Sequence, residues 1–156
     1  MNSGAARLKP LPEFRSALLV HADAIAGLAS QDLRECADAE GLAYELWDLI
    51  ENLGVSENKA KLAVGTKTLH HLVPSLVPPM DRAYTRVFFQ WYGQMFQYQQ
   101  AGFLGDVLPF LVEIAKELDL DSELTGRGWR TSSTKLLDNA VVGYCLEKRL
   151  SLLGYE

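Results

Sequence analysis

Apolar residues along this chain recur every three or four positions, and nowhere do they alternate in twos for long enough to make a strand. A spacing near 3.6 places a stripe on one face of a helix, whereas a strand needs a period of two. Phe14, Ala17, Leu18, His21, Ala22 and Ile25 form the first stripe, which predicts one helix over 13–27. Ser30 reads as the N-cap of the next, which carries Leu33, Leu42, Leu46, Leu49, Ile50 and Leu53 and stops at Gly54. Ser56 caps a third helix through Leu62 and Leu69. Pro74 ends it, because a proline ring disfavours helix in the residue before it.

Beyond Pro74, the stretch 74–80 is too rich in proline to be helix throughout. Asp81 then reads as the N-cap of a long helix from Arg82 to about Gln100. A glycine break over 101–105 precedes a helix from Asp106, with Pro109 in its first turn. An ordered loop holds Gly126-Arg-Gly-Trp-Arg130, and a last helix runs from Ser133 to Gly154. Gly143 inside that helix predicts a close approach by a neighbour, since glycine costs about 1 kcal/mol against alanine there. The expected fold is all-α, a compact single-domain bundle of about six or seven helices over 13–156 behind a flexible leader, 1–12.

Composition narrows the class. The 156 residues are 48% hydrophobic and 22% charged, enough for a real core. The first ten residues lack the apolar run of a secretory signal, and no stretch is apolar for long enough to span a membrane. Cys36 and Cys145 stand far apart, with no metal-ligand spacing and no disulfide framework, which points to the cytoplasm. No metal or cofactor is expected.

Charge is unevenly spread beneath a net −5. Segment 23–57 has nine acids against Arg34 alone, net −8, and 106–123 has six against Lys116, net −5. Segment 59–86 is net +4, from Lys59, Lys61, Lys67, Arg82 and Arg86 against Asp81. Segment 127–149 is net +3, with Arg127 and Arg130 on either side of Gly128 and Trp129. Two basic segments in an acidic protein suit one positive face for nucleic acid, or else ordinary solvated helix faces.

Residues 64–86 combine a glycine and a lysine entering a helix, Val64-Gly-Thr-Lys-Thr68, with a later Pro79-Met-Asp81 and Arg86 opening another. This arrangement resembles the core of the helix-hairpin-helix DNA glycosylases, the endonuclease III-like group. The resemblance implies DNA as partner, with Lys67 as the amine that attacks the anomeric carbon of a damaged nucleoside. It implies Asp81 as the carboxylate that stabilises the oxocarbenium-like charge, and Gly65 as a backbone contact to a phosphate. Lys59, Lys61, Arg82, Arg86, Arg127 and Arg130 would meet the nucleic acid, with Trp129 stacking on a base. His70, His71, Phe88, Trp91 and Tyr92 would line a pocket for the extruded base.

The same residues have plainer roles. Asp81 is favoured at an N-cap whatever the function, Lys67 suits a solvated face, Trp129 suits a lid over the loop, and the aromatic stripe suits a core. Adjacent His70 and His71 point about 100° apart on a helix and make a poor metal pair. Lys135 and Asp138, three apart, read as a surface pair. Residues 87–105 carry no charge and five glutamines, which fits a subunit interface. The alternative reading is therefore a non-catalytic module that self-associates or binds a protein partner through helix 87–100. A weaker one is a small-molecule enzyme with Asp81 and a histidine as acid and base.

Overall fold

A computed structural model describes residues 6–57, 61–91, 98–128 and 130–150. The protein is an all-α domain with elements α1 (Leu11–Val20), α2 (Ala22–Ala29), α3 (Ala39–Leu53), α4 (Lys61–Leu72), α5 (Arg82–Phe88), α6 (Gln99–Gly102), α7 (Leu108–Glu117) and α8 (Ser133–Glu147). Two short 3-10 turns, Leu33–Glu35 and Asp121–Glu123, and a π turn before α7, Phe103–Val107, complete it. Extended pairing among the described residues is limited to two isolated bridges, Leu8 with Ser56 and Arg127 with Arg130.

The centre is α3, whose buried Leu42, Ala43, Leu46, Trp47, Leu49, Ile50 and Leu53 occupy nearly half of its circumference. A helix apolar over so wide an arc must be covered on several sides, and α4, α7 and the turn before α7 supply the cover. Asp38 caps α3 by accepting from Gly41 N at 2.9 Å, and Gly54 ends it in the left-handed region at φ 51°. The stop at Gly54 is where the sequence predicts it. The start is not: Ser30 bonds back to Gly27 O, and Asp32 caps a separate 3-10 turn. The Arg34 guanidinium, bonded to Asp32, holds that carboxyl below its ordinary value and reaches Asp121 at 2.5 Å.

Other boundaries differ for identifiable reasons. The predicted helix 13–27 is two helices that break at His21, whose backbone leaves the helical region (φ −102°, ψ 12°). Residues 7–9, read as part of a loose leader, run beside 55–57, with Lys9 N donating to Val55 O and Glu57 N to Arg7 O. The long helix from Arg82 stops at Phe88, Gln90 takes a positive φ of 55°, and Trp91 turns into the core at 2% exposure. Helix also continues through the expected glycine break: α6 passes into a wide π turn, Phe103–Val107, and then into α7. Pro109 supplies a reason, because it lacks an N–H and its ring clashes with the carbonyl four residues back in a regular helix.

Two glycines exchange roles. A Cβ on Gly143 would meet nothing among the described residues, so the expected close contact is absent among them. A Cβ on Gly65 would lie 2.5 Å from Ile50 Cγ2, so Gly65 is the point where α4 touches α3. The last helix ends at Glu147, short of Gly154, which lies outside the described residues.

Candidate functional site

Three helix faces converge on a cleft of about 540 Å³, and each follows the same helical spacing. From α4 come Lys67, His70 and His71, at i, i+3 and i+4. Asp81 and Tyr84, at i and i+3, come from the start of α5, and Pro79 precedes them. Lys135, Asp138, Asn139 and Val142, at i, i+3, i+4 and i+7, come from α8, while Gly128 and Thr131 close the rim.

Asp81 is fixed by its own helix. Its Oδ1 accepts from Ala83 N at 2.8 Å and Tyr84 N at 3.3 Å, so the carboxylate is held by an N-cap before any ligand arrives. Its Oδ2 lies 3.7 Å from Lys67 Nζ, and both side chains remain about half exposed. The connection that delivers Asp81 is itself fastened from below. Thr66, fully buried on α4, donates to Leu62 O and accepts from Met80 N at 3.2 Å. Thr134, fully buried in the first turn of α8, donates to Pro74 O. These bonds satisfy backbone groups of a non-helical segment that is otherwise sunk into the core at Leu76, Val77 and Met80.

His70 joins the same scaffold. Its Nδ1 lies 2.8 Å from Val77 O, and a carbonyl only accepts, so Nδ1 carries the hydrogen and the neutral ring keeps its lone pair on Nε2. Burial, with smaller contributions from His71 and Lys135, holds the imidazole below its ordinary value of 6.5. His71 is exposed beside it, with ring centroids 5.9 Å apart. No group of three metal-ligating side chains occurs among the described residues.

The structure disperses several other expected site residues. Val64–Thr68 lie inside α4, so the backbone at buried Gly65 is helical and packs on Ile50 instead of meeting a phosphate. Lys61 pairs with Glu51 and lines a different groove, with Trp47, Tyr98 and Gln99. Gln99 there accepts from Leu62 N at 2.8 Å, capping the start of α4. Arg86 is buried, and exposed Arg82 is not part of the cleft wall. Phe88 sits in a ring cluster with Phe89, Phe110 and Tyr144, and Trp91 donates from Nε1 to Asp106 at 3.2 Å, so neither lines the cleft. Arg127 and Arg130 bridge to each other on either side of Gly128 without lining the cleft, and Arg130 pairs with Glu123 at 2.9 Å. Lys59, Tyr92 and Trp129 lie outside the described residues.

Lys135 and Asp138 are the residues the sequence reading missed. They form a half-buried ion pair on the cleft wall, where a surface pair is predicted. The signal was the polar stripe Lys135, Asp138 and Asn139, whose i, i+3, i+4 spacing matches that of Lys67, His70 and His71. Two lysines and two aspartates leave the cleft formally neutral, with hydrogen-bonding groups of both kinds. No protein-family model, curated protein or solved structure matches the chain.

Proposed function

We propose that this protein is a nucleic-acid-binding helical domain that takes one extruded nucleotide of DNA into the α4–α5–α8 cleft, with residual base-excision chemistry. The observation that carries this reading is the 3.7 Å approach of Lys67 Nζ to Asp81 Oδ2 from separate elements. An amine beside a carboxylate suits attack on the aldehyde carbon of a ring-opened abasic sugar. Asp81 relays two protons from the Lys67 ammonium to the carbonyl oxygen, which leaves as water, while the nitrogen lone pairs so freed form the C–N bond and its double bond, and the carboxylate then balances the positive charge of the protonated imine. A volume of about 540 Å³ suits a base or a sugar, and a formally neutral wall suits an uncharged heterocycle better than a phosphate. Arg127 and Arg130, next in sequence to Gly128 and Thr131 of the cleft wall, would meet the flanking phosphates. Free Cys36 and Cys145 agree with a reducing, cytoplasmic setting.

The interaction-module alternative rests on 87–100, of which 92–97 lie outside the described residues; beside them, Trp91 is in the core and Gln99 is committed to capping α4.

The test is anisotropy of a labelled duplex with one abasic site at two salt concentrations, with borohydride added in parallel. The expected result is salt-dependent binding, with a log–log slope of roughly −2 for two phosphate contacts, and a trapped adduct lost in Lys67→Ala. Absence of binding at low salt overturns the DNA reading. Binding without an adduct removes the chemistry and leaves the binding.

A further inference from the structure

The cleft offers one acceptor whose state the fold has already chosen. With its hydrogen on Nδ1 and committed to Val77 O, His70 has no hydrogen-bond partner for Nε2 among the described residues. That atom is not one of the buried side-chain atoms lacking a partner, so the cleft reaches it. The ring does not turn easily. Val77 is fully buried, and Thr134 Oγ1 approaches Nδ1 at 3.4 Å from α8. A flip would replace the Nδ1–H donor at Val77 O with a carbon and leave a buried carbonyl unsatisfied.

We propose that His70 Nε2 is the specificity-determining acceptor of the cleft, reading an N–H on the Watson–Crick edge of a bound nucleobase. The assignment rests on the cleft being the ligand site and deepens that reading by naming the atom that selects. Around Nε2 the other groups are poorer selectors of a neutral donor. Asp81 and Asp138 are engaged with Lys67 and Lys135, whose ammonium groups only donate. A site built to accept from an N–H rejects the analogue that lacks one, because its own polar atom is then left dry and unpaired. His71, Lys67, Lys135, Asp81, Asp138 and Tyr84 are the titratable groups that share the cleft with His70. Protonation of His70 would turn its acceptor into a donor, so recognition should fade on acidification.

The test uses the whole protein with histidine side chains labelled with ¹⁵N. It is titrated with 1-methyluracil, 9-methyladenine, 9-methylguanine and 1-methylcytosine, each blocked where the sugar attaches, and with 1,3-dimethyluracil as the base without an N–H. The free protein should show His70 with an unprotonated Nε2. At least one N–H-bearing base should shift that resonance upfield, and dimethyluracil should bind about tenfold more weakly than 1-methyluracil or leave Nε2 unmoved. His70→Phe should abolish the discrimination while keeping a ring in place. A hydrogen on Nε2 in the free protein, no response to any of the four bases, or a shift with 1-methyluracil that 1,3-dimethyluracil matches overturns the assignment. If the duplex binds and Nε2 stays unmoved, only this assignment falls. If the bases move Nε2 and the duplex does not bind, the DNA reading falls instead.

Discussion

Single residues carry the most direct energetic statements. Gly65→Ala forces a Cβ to 2.5 Å from Ile50, and overpacking of that kind costs about 1–3 kcal/mol, more than the ~1 kcal/mol of helix propensity it recovers. Gly143→Ala meets nothing and should stabilise by about 0.5–1 kcal/mol. Urea midpoints of the two variants should therefore move in opposite directions. Asp81 separates its two duties in the same way. Asp81→Asn retains a capping oxygen and should unfold nearly as the parent does, whereas Asp81→Ala should lose about 1 kcal/mol; both lose the charge that faces Lys67. For His70, the depressed native pKa means the unfolded chain binds its proton first as pH falls. Its share of stability is complete above about 6.5, the unfolded value, and is lost as pH falls from there through the native value. A urea midpoint that drops on acidification in the parent, and drops less in His70→Gln, is the expected outcome.

At the scale of elements, the segment from Pro74 to Met80 decides whether the cleft exists. It turns α4 back so that Asp81 faces Lys67, and buried Thr66 and Thr134, with half-buried His70, fasten it. Thr134→Val removes the donor to Pro74 O while conserving shape, and should cost about 1 kcal/mol in urea unfolding. Only the local half of this was legible beforehand. Asp81 as a cap and Pro74 as a stop follow from the chemistry of one or two residues. That Gly65 serves a contact with Ile50 depends on how α4 lies on α3, which no local pattern contains. The same holds for the break after Phe88. The apolar stripe continues through Trp91, but the ring finds its place in the core and a partner in Asp106, and this tertiary contact overrides a periodicity that favours one long helix. Conversely, the π turn before Pro109 keeps helix going where glycines suggested a gap.

For the whole molecule, the charge pattern and the site separate. Basic residues clustered in sequence do not gather in space: Lys61 belongs to a groove between α3 and α6, Arg86 is buried, and Lys67 faces the cleft. What gathers is one polar stripe from each of α4, α5 and α8; the sequence pointed to Lys67, His70 and His71 on α4 and to Asp81 at the start of α5, but not to the stripe on α8. No helix among the described residues is long and apolar enough to cross a membrane. The most direct test of the account is an amide ¹H–¹⁵N spectrum of the full chain titrated with a short duplex carrying one abasic site. The account predicts shifts concentrated at Lys67, His70, His71, Tyr84, Gly128 and 135–139. A spectrum that stays unchanged, or shifts centred on Lys61 and Gln100 with the α4–α5–α8 cleft silent, contradicts it.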